Sequence, residues 1–371
     1  ASGPEVVPFD VSAYGLLALD ASTVSNILPG RVTVTLEAPA GVELTGDEAA
    51  DFAALQAAAP LRVAQVVAAE AANKPGSGVA AGINFTPTQS ATHRIYAVLM
   101  APAGPAVYPD AGQMASRVSA AVAHTDAYWS KQSAGKIRFE LRGVSDFSQA
   151  TAGGTCASDT ALTNLWNQAR AKAVPLGYNS ARFNDHLVIV LPEANEADCG
   201  LGLGTLGYSV NTGGVLHLTN LSTDAGFGTL SHELGHNMSF GHANWLECRV
   251  PSFSSPLNLT ISGPNYGVGT DQCVNREYGD LLDVMGFSIL DMTGGALSAP
   301  NAIRAGLWAQ GTDYKYAPRG KTQRFTIKDV GEGKGLRAVV IQDNTGAQFF
   351  VEYRNLRGTD AQYQTIGERC E

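Results

Sequence analysis

The chain has 371 residues, 44% of them hydrophobic, and carries 25 Lys and Arg against 34 Asp and Glu for a formal net charge of −9, with a pI near 5.3. An acidic surface is poorly matched to nucleic acid or an anionic membrane, so neither is expected as a partner. The length exceeds the roughly 250–300 residues at which one core stops growing, which predicts two or three units, and no run of about 20 uninterrupted apolar residues predicts a membrane-spanning helix.

Residues 1–88 read as a separate N-terminal accessory or propeptide-like domain. It opens at Ala1-Ser-Gly, without a charged start or apolar signal core, as expected if a secretion peptide has been removed. Alternation over Arg31–Leu36 predicts a strand and residues 46–73 predict a helix, before the linker-like Asn73-Lys-Pro-Gly-Ser-Gly-Val.

From residue 89 to 311 the elements alternate. His93–Met100 is a short apolar run and predicts a buried strand, Gly112–Gln132 a helix, Lys136–Leu141 a strand, Asp159–Ala173 a second helix and Asp185–Leu191 another core strand. Strand, helix, strand, helix, strand implies an α/β layer. His186 starts the last strand and reads as an ordinary surface or core histidine. Tyr208–Leu218, interrupted by glycines, predicts a hairpin or edge strand with His217 facing solvent. Asp224 is the expected N-cap of the helix that follows.

That helix carries His232-Glu-Leu-Gly-His-Asn-Met-Ser-Phe-Gly-His242. Residues four apart share a helix face, so His232 and His236 can direct ring nitrogens at one ion. Glu233 stands beside the metal rather than on it, where its carboxylate can take a proton from water. A continuing helix would turn His242 about 240° away from His236 at roughly 3.6 residues per turn, so the helix must stop near Met238. Ser239-Phe240-Gly241 is the expected break, since glycine accepts positive φ without steric cost. Three histidines with one open position suit catalytic zinc.

This pattern resembles the metzincin metallopeptidases, whose signature is H-E-x-x-H-x-x-G-x-x-H followed by a methionine turn. Tyr278-Gly-Asp-Leu-Leu-Asp-Val-Met285-Gly286 looks like that turn, in which Met285 would lie beneath the histidines. Cys199–Tyr208 and Leu297–Trp308 are similar to segments of the gametolysin-like branch. Ser239 stands where the family signature has glycine, so either it takes an ordinary conformation or Gly241 absorbs the reversal. Phe287 stands where some metzincins carry a zinc-binding tyrosine, so no fifth protein ligand is expected.

The resemblance implies an α+β and α/β metzincin-type catalytic domain over 89–311, with a twisted mixed sheet, a zinc helix and a Met-turn. It also implies a cleft for an extended peptide, with Tyr208, Gly214, Phe287 and Pro300 along its rim and wall. An aspartate such as Asp47 or Asp51 is an alternative cap for the zinc, but both are more simply read as the first turn of a helix. A cysteine latency switch in the N-terminal domain is excluded, because no cysteine precedes Cys156.

Beyond residue 312 three alternating runs, 322–328, 336–342 and 348–354, predict a C-terminal β-rich unit, similar to segments that follow the peptidase domain in gametolysin-like proteins. The five cysteines, at 156, 199, 248, 273 and 370, lack C-x-x-C spacing and suit disulfides in an oxidising compartment. Among the arrangements, Cys156 with Cys199 and Cys248 with Cys273 are taken, each clamping a loop beside the zinc helix.

The reading is a secreted, monomeric zinc endopeptidase with one catalytic Zn2+ and a protein or peptide substrate. No pattern indicates structural calcium. Two alternatives stay open: a catalytically silent metzincin-fold binding protein or adhesin, and a zinc hydrolase acting on glycosylated protein.

Overall fold

The computed structural model describes residues 6–11, 15–20, 31–36, 54–55, 57–58, 63–70, 91–104, 111–207, 209–248, 273–286, 294–318, 320–342 and 348–363. Two compact units divide the chain. One comprises Ala1–Pro75, Thr88–Ser130 and Gly135–Ser239, the other Gly76–Pro87, Lys131–Ala134 and Phe240–Glu371.

In the first unit the described N-terminal strands form two antiparallel pairs. β1 (Val6–Val11) pairs with β2 (Gly15–Asp20), and β3 (Arg31–Leu36) with β4 (Val63–Glu70). The strand expected at Arg31–Leu36 is present. Of the helix expected across 46–73, residues 54, 55 and 57 are helical, but it cannot run on to residue 73, because 63–70 are β4. Pro60 has no amide hydrogen and restricts the residue before it, while Val63, Val66 and Val67 are β-branched, so this end favours a strand once β3 offers a partner.

A mixed sheet dominates the rest of this unit. It contains β5 (Ala91–Ala101), β6 (Ile137–Val144), β7 (Ser148–Gln149), β8 (Asp185–Val190), β9 (Gly202–Gly204) and β10 (Gly214–Leu218). The strand order is β6-β5-β8-β10-β9, with β7 beside β5. The pairings are parallel except for β9, which runs antiparallel to β10 and closes the edge. Residues 95–101 and all of β8 are buried without alternation, as parallel strands covered on both faces require.

Helix α1 (Ala111–Gln132) lies between β5 and β6, and α2 (Asp159–Ala173) between β7 and β8. Ser158 caps α2 by accepting from the Ala161 amide, Asp159 sits in its first turn, and Arg170 and Lys172 complement the dipole at its end. The helix buries Leu165, Trp166, Ala169 and Ala173 in one core with Tyr96, Val98, Met100, Leu187, Ile189 and Val215. Those sheet residues share one face by their two-residue period, which leaves Ile95, Ala97, Leu99, Val188 and Leu216 on the other. They are equally buried.

Helix α3 (Ala225–Asn237) carries the first two histidines of the motif and packs on β10 and β9. α1 pins it from another side: the Trp129 indole donates to the Ser231 carbonyl at 3.2 Å, and the Thr125 and Ser231 hydroxyls are 3.0 Å apart. Asp224 occupies the N-cap position but makes no capping bond, because its carboxylate pairs with Arg117 at 2.8 Å.

Two expectations about histidines need correction or refinement. His217 is buried rather than solvent-facing; it accepts from the Trp166 indole at 3.1 Å and lies 3.0 Å from the Cys199 carbonyl. His217 lies on the face of β10 that α2 covers through Trp166, and the edge lies at β9 instead of in the 208–218 stretch. His186 is a fully buried core residue. Its Nδ1 is 3.0 Å from Asn237 Oδ1 and its Nε2 is 2.7 Å from His93 Nδ1.

Burial holds His93 well below the ordinary histidine range and takes His186 down to about 4. At these two histidines the unfolded chain binds more protons than the fold between about pH 4 and 6.5, so the pair contributes stability that rises with pH across that window, against the opposite contribution of the buried Glu233 carboxyl, pushed up to about 8. The His186 shift corresponds to on the order of 3 kcal/mol. Between pH 4.5 and pH 7 the melting temperature of the metal-free protein is expected to change more favourably with rising pH in wild type than in His186→Gln. Equal pH slopes for the two proteins would remove this pair as the cause.

Cys156 and Cys199 form a disulfide spanning 43 residues, as expected. In the second unit β11 (Trp245–Cys248) pairs antiparallel with β12 (Cys273–Arg276), and the register sets Cys248 directly opposite Cys273. Cys370 lies outside the described residues.

Helix α4 (Ala299–Arg304) precedes a three-stranded sheet of β13 (Tyr314–Tyr316), β14 (Ala338–Gln342) and β15 (Gln348–Glu352). Two of the three expected C-terminal strands are there. The run 322–328 forms none: β14 is flanked by Tyr314–Tyr316 on one edge and β15 on the other. Residues after β15 reach back to the segment before α4. Arg354 binds Glu352 at 2.7 Å, Asp360 at 3.0 Å and the Ala296 carbonyl at 2.9 Å, while Asp360 accepts from the Ala296 amide at 2.7 Å.

Candidate metal centre

Helix α3 ends at Asn237, with Met238 as its C-cap, where the sequence required a stop. The reversal falls on Ser239, whose φ is +76°. Gly241 is not among the positive-φ residues, and a side chain there would meet nothing closer than the Arg304 guanidinium at 3.7 Å. Neither expected route holds, since a non-glycine residue occupies the left-handed region in which the family signature has glycine. The His236 carbonyl accepts from the Ser239 amide at 2.9 Å and from Gly207 at 2.8 Å, which fastens this turn.

The turn brings His242 back to the helix. One ring nitrogen from each of His232, His236 and His242 lies within 4.8 Å of the others, the only such grouping of metal-binding side chains among the described residues. His232 and His236 are buried, and their Nε2 atoms stand 3.1 Å apart. Two ligands of a tetrahedral zinc with bonds of about 2.0–2.1 Å would be about 3.3 Å apart. Three imidazole nitrogens converge here, and one divalent cation can take a lone pair from each. The donor set fits zinc.

Glu233 is buried beside the first histidine. Burial pushes its carboxyl up to about 8, opposed by a hydrogen bond from the Gly204 backbone. Edge strand β9 leaves room for it only because of its glycines: a Cβ on Gly202 would lie 2.8 Å from Glu233 Oε1. A carboxyl held near neutrality against a sheet edge is suited to accepting and returning a proton.

Met285 is fully buried and bound through its main chain. Its carbonyl accepts from Ala243, the residue after His242, at 2.8 Å, and its amide donates to Asp283 at 2.8 Å. Asp283 is itself buried, and its other oxygen accepts from the Ser298 amide at 2.6 Å. Burial and the neighbouring Asp280 raise its carboxyl above the ordinary range, while the bonds from Met285 and Ser298 oppose that.

The remaining cleft residues divide. Gly214 begins β10 against Asn237, whose Cγ would lie 2.6 Å from an added Cβ, so packing explains this glycine. Pro300 is exposed in the first turn of α4, a position that suits a residue without an amide hydrogen. Tyr208 and Phe287 lie outside the described residues, as do Asp47 and Asp51.

Sequence reasoning missed two groups. Asn237, directly after the second ligand, donates to the Thr205 carbonyl at 2.8 Å and meets the buried His186. Glu277 lies 2.7 Å from His242 Nδ1. An asparagine or glutamate beside a motif carries no periodic signal; only the fold reveals what it faces.

Residues 115–243 match the family model described as Metallo-peptidase family M12B Reprolysin-like. The match supports a metzincin-type zinc metallopeptidase. It runs from α1 through β6, β8, β9 and β10 to the residue after His242, so it covers α3 and the strands it packs on. A reprolysin-like domain implies the metzincin fold, in agreement with the mixed sheet and helices. No curated protein matches the chain. No described helix is long and apolar enough to cross a membrane.

Proposed function

We propose that the protein is a secreted zinc endopeptidase in which His232, His236 and His242 hold one catalytic ion and Glu233 is the general base. The observation that carries this reading is the convergence of the three imidazoles with Glu233 buried beside them. A bound zinc ion supplies Lewis acidity there, lowering the pKa of water toward about 7 and polarising a carbonyl. Glu233 takes the proton of the attacking water and returns it to the leaving amine. Helix α3 keeps that carboxylate and two of the imidazoles on one rigid element, and β9 shields the carboxylate from bulk water.

Residues 89–311 form the catalytic domain in this proposal, 1–88 an accessory or propeptide-like domain and 312–371 a C-terminal β-rich unit. Tyr208, Gly214, Phe287 and Pro300 are assigned to the cleft. The nearer likeness to gametolysin-like proteins rests on Cys199–Tyr208 and Leu297–Trp308. Secretion accords with the Cys156–Cys199 disulfide.

The test pairs metal analysis with digestion of casein, an unstructured protein. One equivalent of zinc is expected, with cleavage lost on chelation and restored by added zinc. Undiminished cleavage by fully metal-stripped protein would overturn the proposal, and sequencing of product termini would read out side-chain preference.

A further inference from the structure

His232 and His236 are oriented by the helix that carries them, but His242 belongs to residues 241–244, which have no regular secondary structure. It is also the least buried of the three, with 21% of its side chain accessible. An imidazole on such a segment can rotate about its side-chain bonds and offer either nitrogen. Something must choose one.

The segment following β12 does so. Glu277 comes directly after the strand, and its Oε1 lies 2.7 Å from His242 Nδ1. The next residue, Tyr278, lays its ring against the imidazole with 3.8 Å between centroids. The two segments are fastened along their length: Tyr278 donates to the Asn244 side chain at 3.2 Å, Asp280 to the Ala243 carbonyl at 3.1 Å, and Ala243 to the Met285 carbonyl at 2.8 Å. Tyr278 holds φ at +60°, an unfavourable value for a residue with a side chain. That conformation accompanies the ring contact.

We propose that Glu277 is a positioning residue for the third metal ligand, accepting a hydrogen bond from His242 Nδ1 and so leaving the lone pair on Nε2 for the ion. The proposal rests on the zinc reading above. A neutral imidazole has one N–H and one lone pair, and whichever nitrogen donates fixes the other as the ligand atom. A carboxylate as acceptor also makes the ring a more basic ligand. Glu277 is itself 64% accessible, so as an exposed pair it adds little to the stability of the fold. Its effect belongs to the metal.

That separation makes the test. Zinc affinity would be measured on metal-free protein by competition with a chromophoric chelator, for wild type, Glu277→Ala, Glu277→Gln and His236→Ala. Melting of each metal-free protein would be recorded in parallel. Glu277→Ala is expected to bind zinc about 10–100-fold more weakly with its metal-free melting unchanged. Glu277→Gln keeps an oxygen acceptor and is expected to recover most of that loss. Wild-type affinity in Glu277→Ala overturns the proposal, and so does a lowered metal-free melting temperature in that variant, which would mark a structural role. Should His236→Ala bind as tightly as wild type, the zinc reading itself fails, a result distinct from either of these.

Discussion

Replacing Glu233 by Gln is expected to leave zinc binding intact and to reduce peptide hydrolysis by about 10²–10⁴-fold, the range that general acid–base catalysis contributes. The reasoning is local. Gln has nearly the same shape, so it still fits against Gly202 and Gly204, where added atoms would collide, and its carbonyl oxygen can still accept from the Gly204 backbone. What it cannot do is hold a proton and give it back. The buried carboxyl also disfavours charge in the metal-free protein, and Gln removes that cost, so the metal-free variant should melt no lower than wild type. Zinc content by metal analysis beside the rate of casein cleavage checks both halves, and hydrolysis at the wild-type rate would exclude Glu233 as the base.

The second large effect is expected at Asp283, two residues before Met285. Replacing it with Ala strands the buried Met285 and Ser298 amides, whose bonds to it are 2.8 and 2.6 Å. A buried donor left without a partner costs about 1–3 kcal/mol, so a loss of about 3–5 kcal/mol is expected for the pair. That is a fall in melting temperature of roughly 10 °C. Because Met285 in turn binds Ala243, the loss should also weaken the hold on His242 and lower zinc affinity. Asp283→Asn keeps one acceptor oxygen and should fall between the two. An Asp283→Ala protein that melts with wild type would show that these amides find other partners.

Much of this architecture was legible because its signals are periodic or punctuated. Unalternating apolar runs marked β5 and β8. The helix expected at Asp159–Ala173 is α2 with those bounds. The spacing of His232, His236 and His242 demanded a helix ending near Met238, and it ends there.

The failures share a cause, which is that partners decide. The stretch 63–70 is alanine- and valine-rich and satisfies helical periodicity, yet β3 lies beside it as a strand. Residues 322–328 alternate as a strand should, but β14 is flanked by other strands. His217 reads as solvent-facing from its own strand, but α2 covers that face of the sheet through Trp166. Ser239 was given a choice of two conformations and took a third course, since carbonyl contacts around His236 fasten the turn whatever residue fills it.

The Cys156–Cys199 bond closes a loop of 43 residues that contains α2 and β8, and Cys199 lies three residues before the edge strand facing Glu233. Tying a loop of that size removes chain entropy from the unfolded state worth about 4 kcal/mol. Material produced in a reducing cytoplasm would forgo that contribution at the strand bordering the Glu233 carboxylate. The choice of expression host thereby decides whether a weak preparation reports on the enzyme's chemistry or on an unoxidised crosslink.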